Sequence, residues 1–120
     1  MRKGQAVKLP RADEAIVDEE KIRDYLLSPT HPVGKFKAAF FGGVLGYARD
    51  DWHELVSAFV RASSEGTVNP GKFSRFGNTY EVHATLAGPS GRSAQVVIVW
   101  IVRHGEEVPR FVTAMPGDPK

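Results

Sequence analysis

Residues 94–102 read AQVVIVWIV. The run is apolar at both odd and even positions, so it predicts a strand buried on both faces, the centre of a sheet. On its N-terminal side Gly88-Pro89-Ser90-Gly91 forms a hairpin-type connection. Before that turn, residues 78–87 alternate: Tyr80, Val82, Ala84 and Leu86 point one way, and Glu81, His83 and Thr85 the other. On the C-terminal side residues 105–109 make a turn. Residues 110–115 then form a last strand, with Arg110, Val112 and Ala114 opposite Phe111, Thr113 and Met115. Residues 67–76 make a poor strand, broken by the turn signal Asn69-Pro70-Gly71.

Upstream of Gly66 the hydrophobic period is that of a helix. Trp52, Leu55, Val56, Phe59 and Ala62 recur at helical spacing behind Asp50 or Asp51 as the start, with His53 at the surface edge. Over residues 35–45, Phe36, Ala39, Phe40, Gly43 and Val44 form an apolar stripe, widened by Phe41 and Leu45. Asp18 is an N-cap for a shorter helix, with Glu19 and Glu20 in its first turn and Ile22, Tyr25 and Leu26 on its buried face. Ala15-Ile16-Val17 is β-prone, suited to an edge strand or to pinning the N-terminal arm. Residues 1–14 are expected to be a loose arm and residues 116–120 a disordered tail. The chain is thus expected to be one α+β domain over residues 1–120. Two to three N-terminal helices would pack on one face of a three- to four-stranded antiparallel sheet.

Composition narrows the function. A chain of 120 residues supports one core. Net charge is +2 and pI about 9.0, but the charges are mixed, which permits nucleic-acid contact without arguing for it. There is no cysteine, hence no disulfide framework and no thiolate chemistry. No apolar run approaches a membrane span and no signal-peptide core is present, so a cytoplasmic protein with no membrane partner is expected. Phosphate loop, dinucleotide fingerprint, HExxH and nucleophile elbow are all missing. The four histidines, 31, 53, 83 and 104, lack ligand spacing, so neither a metal nor another cofactor is expected.

Chemistry concentrates in residues 25–46, YLLSPTHPVGKFKAAFFGGVLG. Ser28-Pro29 ends the first helix and His31-Pro32 repeats the restriction, because proline disfavours helical geometry in the residue before it. Val33-Gly34 then turns the chain into the next helix. His31 is held on a stiff segment, the geometry of a positioned imidazole and equally that of a plain helix–helix connector. Lys37 lies inside the apolar arc of the second helix, whereas Lys35 lies on the solvent side. A lysine in that arc either snorkels to the rim or aims its cation into a cleft near His31, for a phosphate or another anion. Elsewhere, Arg92 belongs to a turn, Arg103 and Arg110 sit at strand ends, and Tyr80 and Thr113 offer hydroxyls from ordinary strand positions. Trp100 reads as core.

The chain resembles a family of small uncharacterised bacterial proteins with the hallmark Y-x-L-x-P-x-H-P-x-G-x-x-K-A-x-F-F followed by L-G. That pattern falls on Tyr25, Leu27, Pro29, His31, Pro32, Gly34, Lys37, Ala38, Phe40, Phe41, Leu45 and Gly46. Later hallmarks match Gly88 to Arg92, Val96 to Trp100 and Pro109 to Ala114; Met115 departs from the tyrosine usual there. These proteins resemble compact toxin modules of the barnase, colicin-nuclease and RelE type. The resemblance implies a metal-independent ribonuclease. His31 would be the general base or acid, Lys37 and Arg110 would stabilise phosphate charge, and Thr113, Tyr80 and His83 would position RNA, with Arg92 as a further binding residue. It also implies a small cognate antitoxin or immunity protein as partner. The alternatives are a non-enzymatic protein-binding module and a phage-associated accessory domain.

Overall fold

The computed structural model describes residues 9–28, 30–32 and 35–117. Its sheet is a four-stranded antiparallel meander, β1 (Thr67–Ser74), β2 (Gly77–Ala87), β3 (Ser93–Arg103) and β4 (Arg110–Pro116), in that spatial order. The helices α1 (Glu19–Lys21), α2 (Lys35–Ala38) and α3 (Trp52–Glu65) all precede it, so the α+β architecture is the one expected.

The run at 94–102 is an inner strand, as its pattern predicts. Val96, Ile98 and Trp100 are buried against the helices, while Val97, Val99 and Ile101 on the other face are only half-buried. The smallest dimension of the molecule is 21 Å. One helix of about 10–12 Å on one sheet accounts for that thickness. Among the described residues, the second face of β3 is therefore apolar without a second layer upon it.

Two strands differ from the simple alternation. β1 continues through Pro70, because an edge strand tolerates the missing N–H, and its register shifts between Pro70 and Phe73. In β4 the register shifts as well: Phe111 pairs with Trp100, yet Thr113 pairs with Val99. This bulge puts Phe111 and Ala114 together on the helix side. Arg110, Thr113 and Met115 share the open side, whereas simple alternation predicts Phe111 with Thr113 and Met115.

Both N-terminal helices widen at their ends. α1 runs into a π-helical turn, Ile22–Leu26, and α2 into another, Ala39–Val44. Leu45 N–H donates to Phe40 C=O at 3.1 Å and Leu27 N–H to Ile22 C=O at 2.9 Å. The wider turn rotates the buried face. Ala38, Phe41 and Leu45 are buried, whereas Ala39 and Gly43 of the expected stripe are exposed. α3, entered through a 3-10 turn Arg49–Asp51, buries Leu55, Phe59 and Ser63.

The core is a chain of rings. Phe41 meets Phe59, Phe59 stacks on Phe111, and Phe111 meets Trp100 edge-on, with centroids 5.7, 5.4 and 5.7 Å apart. Trp100 Nε1–H, buried in this stack, donates to Ser63 Oγ at 2.8 Å, which meets the demand of a polar group taken from water.

The chain N-terminal to α1 closes the outer edge of β4. Ile16 N–H donates to Pro109 C=O and Phe111 N–H to Ile16 C=O, both at 2.9 Å. Lys21 Nζ donates to Phe111 C=O at 3.0 Å. Leu9 and Ala12 are buried in the core, so from residue 9 onward the arm is docked and not loose; residues 1–8 lie outside the described residues. At the other end Pro116 closes β4 and Gly117 N–H donates to Gln95 C=O at 2.8 Å. Residues 118–120 of the expected tail lie outside the described residues. Among the described residues no helix is long and apolar enough to cross a membrane.

Candidate functional site

Four side chains are linked in a row that ends on β4. Tyr25 comes from the π-helical end of α1, His31 from the α1–α2 loop, Lys37 from α2 and Thr113 from β4. The rings of Tyr25 and His31 meet edge-on at 4.9 Å, with an interplanar angle of 88°. Lys37 Nζ stands 5.2 Å from the centre of the Tyr25 ring and donates to Thr113 Oγ1 at 2.7 Å. Tyr25 thus bridges the imidazole and the ammonium.

The environment of Lys37 decides what it can do. The side chain is half-buried, as its place in the apolar arc predicts, while Lys35 is exposed. Among the described residues its ammonium is met by a hydroxyl and a π face, and neither neutralises it. The carboxylate of Asp24, next to Tyr25 in sequence, is held by Arg23 and by Arg49 Nη2 at 2.6 Å. The hydrogen bond from Arg23 holds the Asp24 carboxyl below its ordinary range, against partial desolvation, with Arg49 adding to the effect. Lys37 therefore presents a positive charge with donor capacity to spare. Thr113, accepting from Lys37, retains its own O–H to donate to an anion.

The prolines expected to pin His31 are divided. Pro32 is exposed, whereas Pro29, Val33 and Gly34 lie outside the described residues. The loop is closed behind the histidine by Lys35 N–H donating to His31 C=O at 3.1 Å.

The other candidates are distributed differently. Arg110 shares Thr113's face of β4, and its Nε donates to Glu106 at 3.0 Å, so its charge is partnered. His83 is also on that face, but on β2 with β3 between, and its Nε2 is 3.9 Å from a Glu81 carboxylate oxygen. Tyr80 pairs with Trp100 and lies on the helix side of the sheet, the face opposite Thr113. Arg92 is exposed on the β2–β3 turn, which packs on the end of the α2 segment through Ser90 Oγ and Val44 C=O. The structure thus groups His31, Lys37 and Thr113 and sets Tyr80, His83 and Arg92 apart. Tyr25, expected on a buried helix face and first in the hallmark pattern, is half-buried and links His31 to Lys37. Among the described residues no cluster of three or more His, Asp or Glu is arranged to hold a metal ion.

Comparison with curated proteins finds no match. Among solved structures the fold matches a chain of a contact-dependent growth inhibition toxin–immunity protein complex from Klebsiella pneumoniae 342. The TM-score is 0.68 at 23% identity, over 85% of this chain and 99% of that one. At that identity the likeness is one of fold. A family model, described as a domain of unknown function, matches residues 8–118, nearly the whole chain, and on that match the protein belongs to the DUF6883 family.

Proposed function

We propose that the protein is a toxin-type ribonuclease that works without a metal, with its site at Tyr25, His31, Lys37 and Thr113. The observation that carries this reading is the Lys37 ammonium, un-neutralised among the described residues, linked to His31 through one tyrosine ring and anchored on Thr113. His31 takes the proton of an RNA 2′-hydroxyl as general base. The 2′ oxygen forms a bond to phosphorus and the bond to the 5′ oxygen breaks, with that oxygen taking a proton from solvent. The products are a 2′,3′-cyclic phosphate and a 5′-hydroxyl. Lys37 and the Thr113 O–H face the negative charge that grows on the phosphate oxygens, the role of an electrostatic clamp. Arg110 is a less direct contributor, because Glu106 competes for its guanidinium. The fold shared with a chain of a toxin–immunity protein complex supports this reading and a small immunity-type partner.

The test uses purified protein and total RNA in EDTA, beside growth of a bacterial culture on induced expression. The wild type is expected to cleave RNA to cyclic-phosphate ends and to arrest growth. His31→Ala and Lys37→Ala are each expected to slow cleavage by about 100-fold or more. Intact RNA and normal growth with the wild type would sink the ribonuclease reading. The alternative is a protein-binding module without activity, which draws on the half-buried apolar face of Val97, Val99, Ile101 and Met115. It predicts capture of a partner that is unaffected by His31→Ala.

A further inference from the structure

The tip of the β1–β2 hairpin holds two phenylalanines in the open. Phe73 is 76% exposed and Phe76 64% exposed, the most exposed large apolar side chains among the described residues. Single exposed apolar residues need no explanation. These two are three positions apart, one beside a guanidinium and the other beside an imidazole. The Arg75 guanidinium carbon is 5.1 Å from the centre of the Phe76 ring, and the His104 ring is 5.4 Å from that of Phe73.

The tip is built, with its backbone tied down. Ser74 Oγ accepts from Phe76 N–H at 3.1 Å and donates to Gly77 C=O at 3.3 Å. His104 joins it from the β3–β4 turn: its N–H donates to Phe76 C=O at 3.2 Å, and its Nε2 lies 2.8 Å from Ser74 C=O. A carbonyl oxygen only accepts, so Nε2 carries the proton in this contact.

The local charge is positive. No acidic residue occurs between Glu65 and Glu81. Arg75 and Arg103 are exposed at this end of the sheet. The acids of the adjacent turn are engaged: Glu106 with Arg110 at 3.0 Å and Glu107 with Arg11 at 2.7 Å. Flat apolar rings interleaved with cations on a fixed scaffold are what an unpaired nucleic-acid strand needs, since bases stack on the rings and phosphates meet the cations. A duplex cannot use the rings, because its bases are already stacked on one another.

We infer that this hairpin tip is a binding site for single-stranded RNA, with bases stacking on Phe73 and Phe76 and phosphates meeting Arg75 and Arg103. The inference rests on the ribonuclease reading and narrows its substrate class to RNA with unpaired bases.

The test reads binding apart from cleavage. Fluorescence anisotropy follows a fluorescein-labelled single-stranded RNA of mixed sequence, and the same strand in a perfect duplex, in EDTA. The protein is the full chain carrying His31→Ala, with and without Phe73→Ala/Phe76→Ala. The double alanine change is expected to weaken single-strand binding by about tenfold or more, with the melting temperature and the duplex affinity unchanged. Arg75→Ala is expected to weaken binding and flatten its salt dependence. Unchanged single-strand binding in the folded double variant overturns the inference. So does equal weakening for the duplex, or loss of self-association in light scattering with RNA binding intact, which would make the tip a protein-contact surface. If His31→Ala leaves cleavage unchanged while the tip variant loses binding, the catalytic assignment falls and the tip stands. If His31 governs cleavage and the tip variant binds normally, the tip falls alone.

Discussion

Lys37 shows how a charge is kept on a helix face that is otherwise apolar. A carboxylate partner would cancel it; a threonine hydroxyl and a tyrosine ring position it and leave it positive. Replacing Thr113 by valine keeps the shape of the site and removes the acceptor. On the proposed ribonuclease reading, RNA cleavage by Thr113→Val is expected to fall about tenfold or more, with little change in stability at this half-buried edge position. Single-turnover rates beside a denaturation curve check both parts. Ser63 is the corresponding case in the core. Its hydroxyl accepts the Trp100 N–H in a buried site, so Ser63→Ala leaves that donor unsatisfied and is expected to cost about 1–3 kcal/mol, read by urea denaturation. At this scale sequence singled out Lys37, because a cation in an apolar arc is conspicuous. Ser63 was not legible, since a serine one place beyond the Ala62 position carries no mark of the strand opposite it.

Between elements, the β2–β3 turn acts as a cap on the α2 segment. Ser90 N–H donates to Leu45 C=O at 2.9 Å and Ser90 Oγ to Val44 C=O at 2.8 Å. These bonds satisfy carbonyls that a helix end leaves open. Two glycines permit the approach. Gly46 has φ 92° and faces Ser90, and a Cβ at Gly88 would overlap the Leu45 carbonyl oxygen. Gly88→Ala is expected to destabilise the fold by about 1–3 kcal/mol, the range of an overpacked contact, seen as a lower melting temperature. The α1 segment is tied to the 3-10 turn before α3 by Asp24, which pairs with Arg23 and Arg49. Its lowered carboxyl pKa fixes the sign of a pH effect. This contribution to stability is fully present above the ordinary aspartate value of about 3.9 and is lost as pH falls through the lower folded value. Asp24→Asn is expected to flatten that part of the profile, and melting temperatures between about pH 2 and pH 6 would show it. The pair is exposed, so the effect is small. The turns themselves were legible from their glycines and prolines. Their docking was not, because it depends on which carbonyls a distant helix leaves free.

Across the whole molecule, a single helical layer covers one face of the sheet, and the residues before α1 close the edge of β4. A strand edge left open is a template for pairing with another chain. A chain begun at Asp18 loses buried Leu9 and Ala12 and the Ile16 bonds to β4. It is expected to melt lower and to self-associate, as size-exclusion chromatography over a concentration series would register.

The order of elements, the inner place of β3 and the split between helices and sheet were determined by sequence alone, because burial imposes a period of 3.6 or 2 on the apolar residues. Only tertiary structure decided the rest. The bulge in β4 turns Thr113 away from Phe111 and beside Arg110, and the π-helical end of α2 swings Ala39 and Gly43 outward. The π-helical end of α1 brings Tyr25 to Lys37, and the loop after it brings His31 to Tyr25. The physical reason is that each depends on a contact between residues far apart in the chain or on one extra residue in a ladder or turn. Periodicity within a segment carries no record of either.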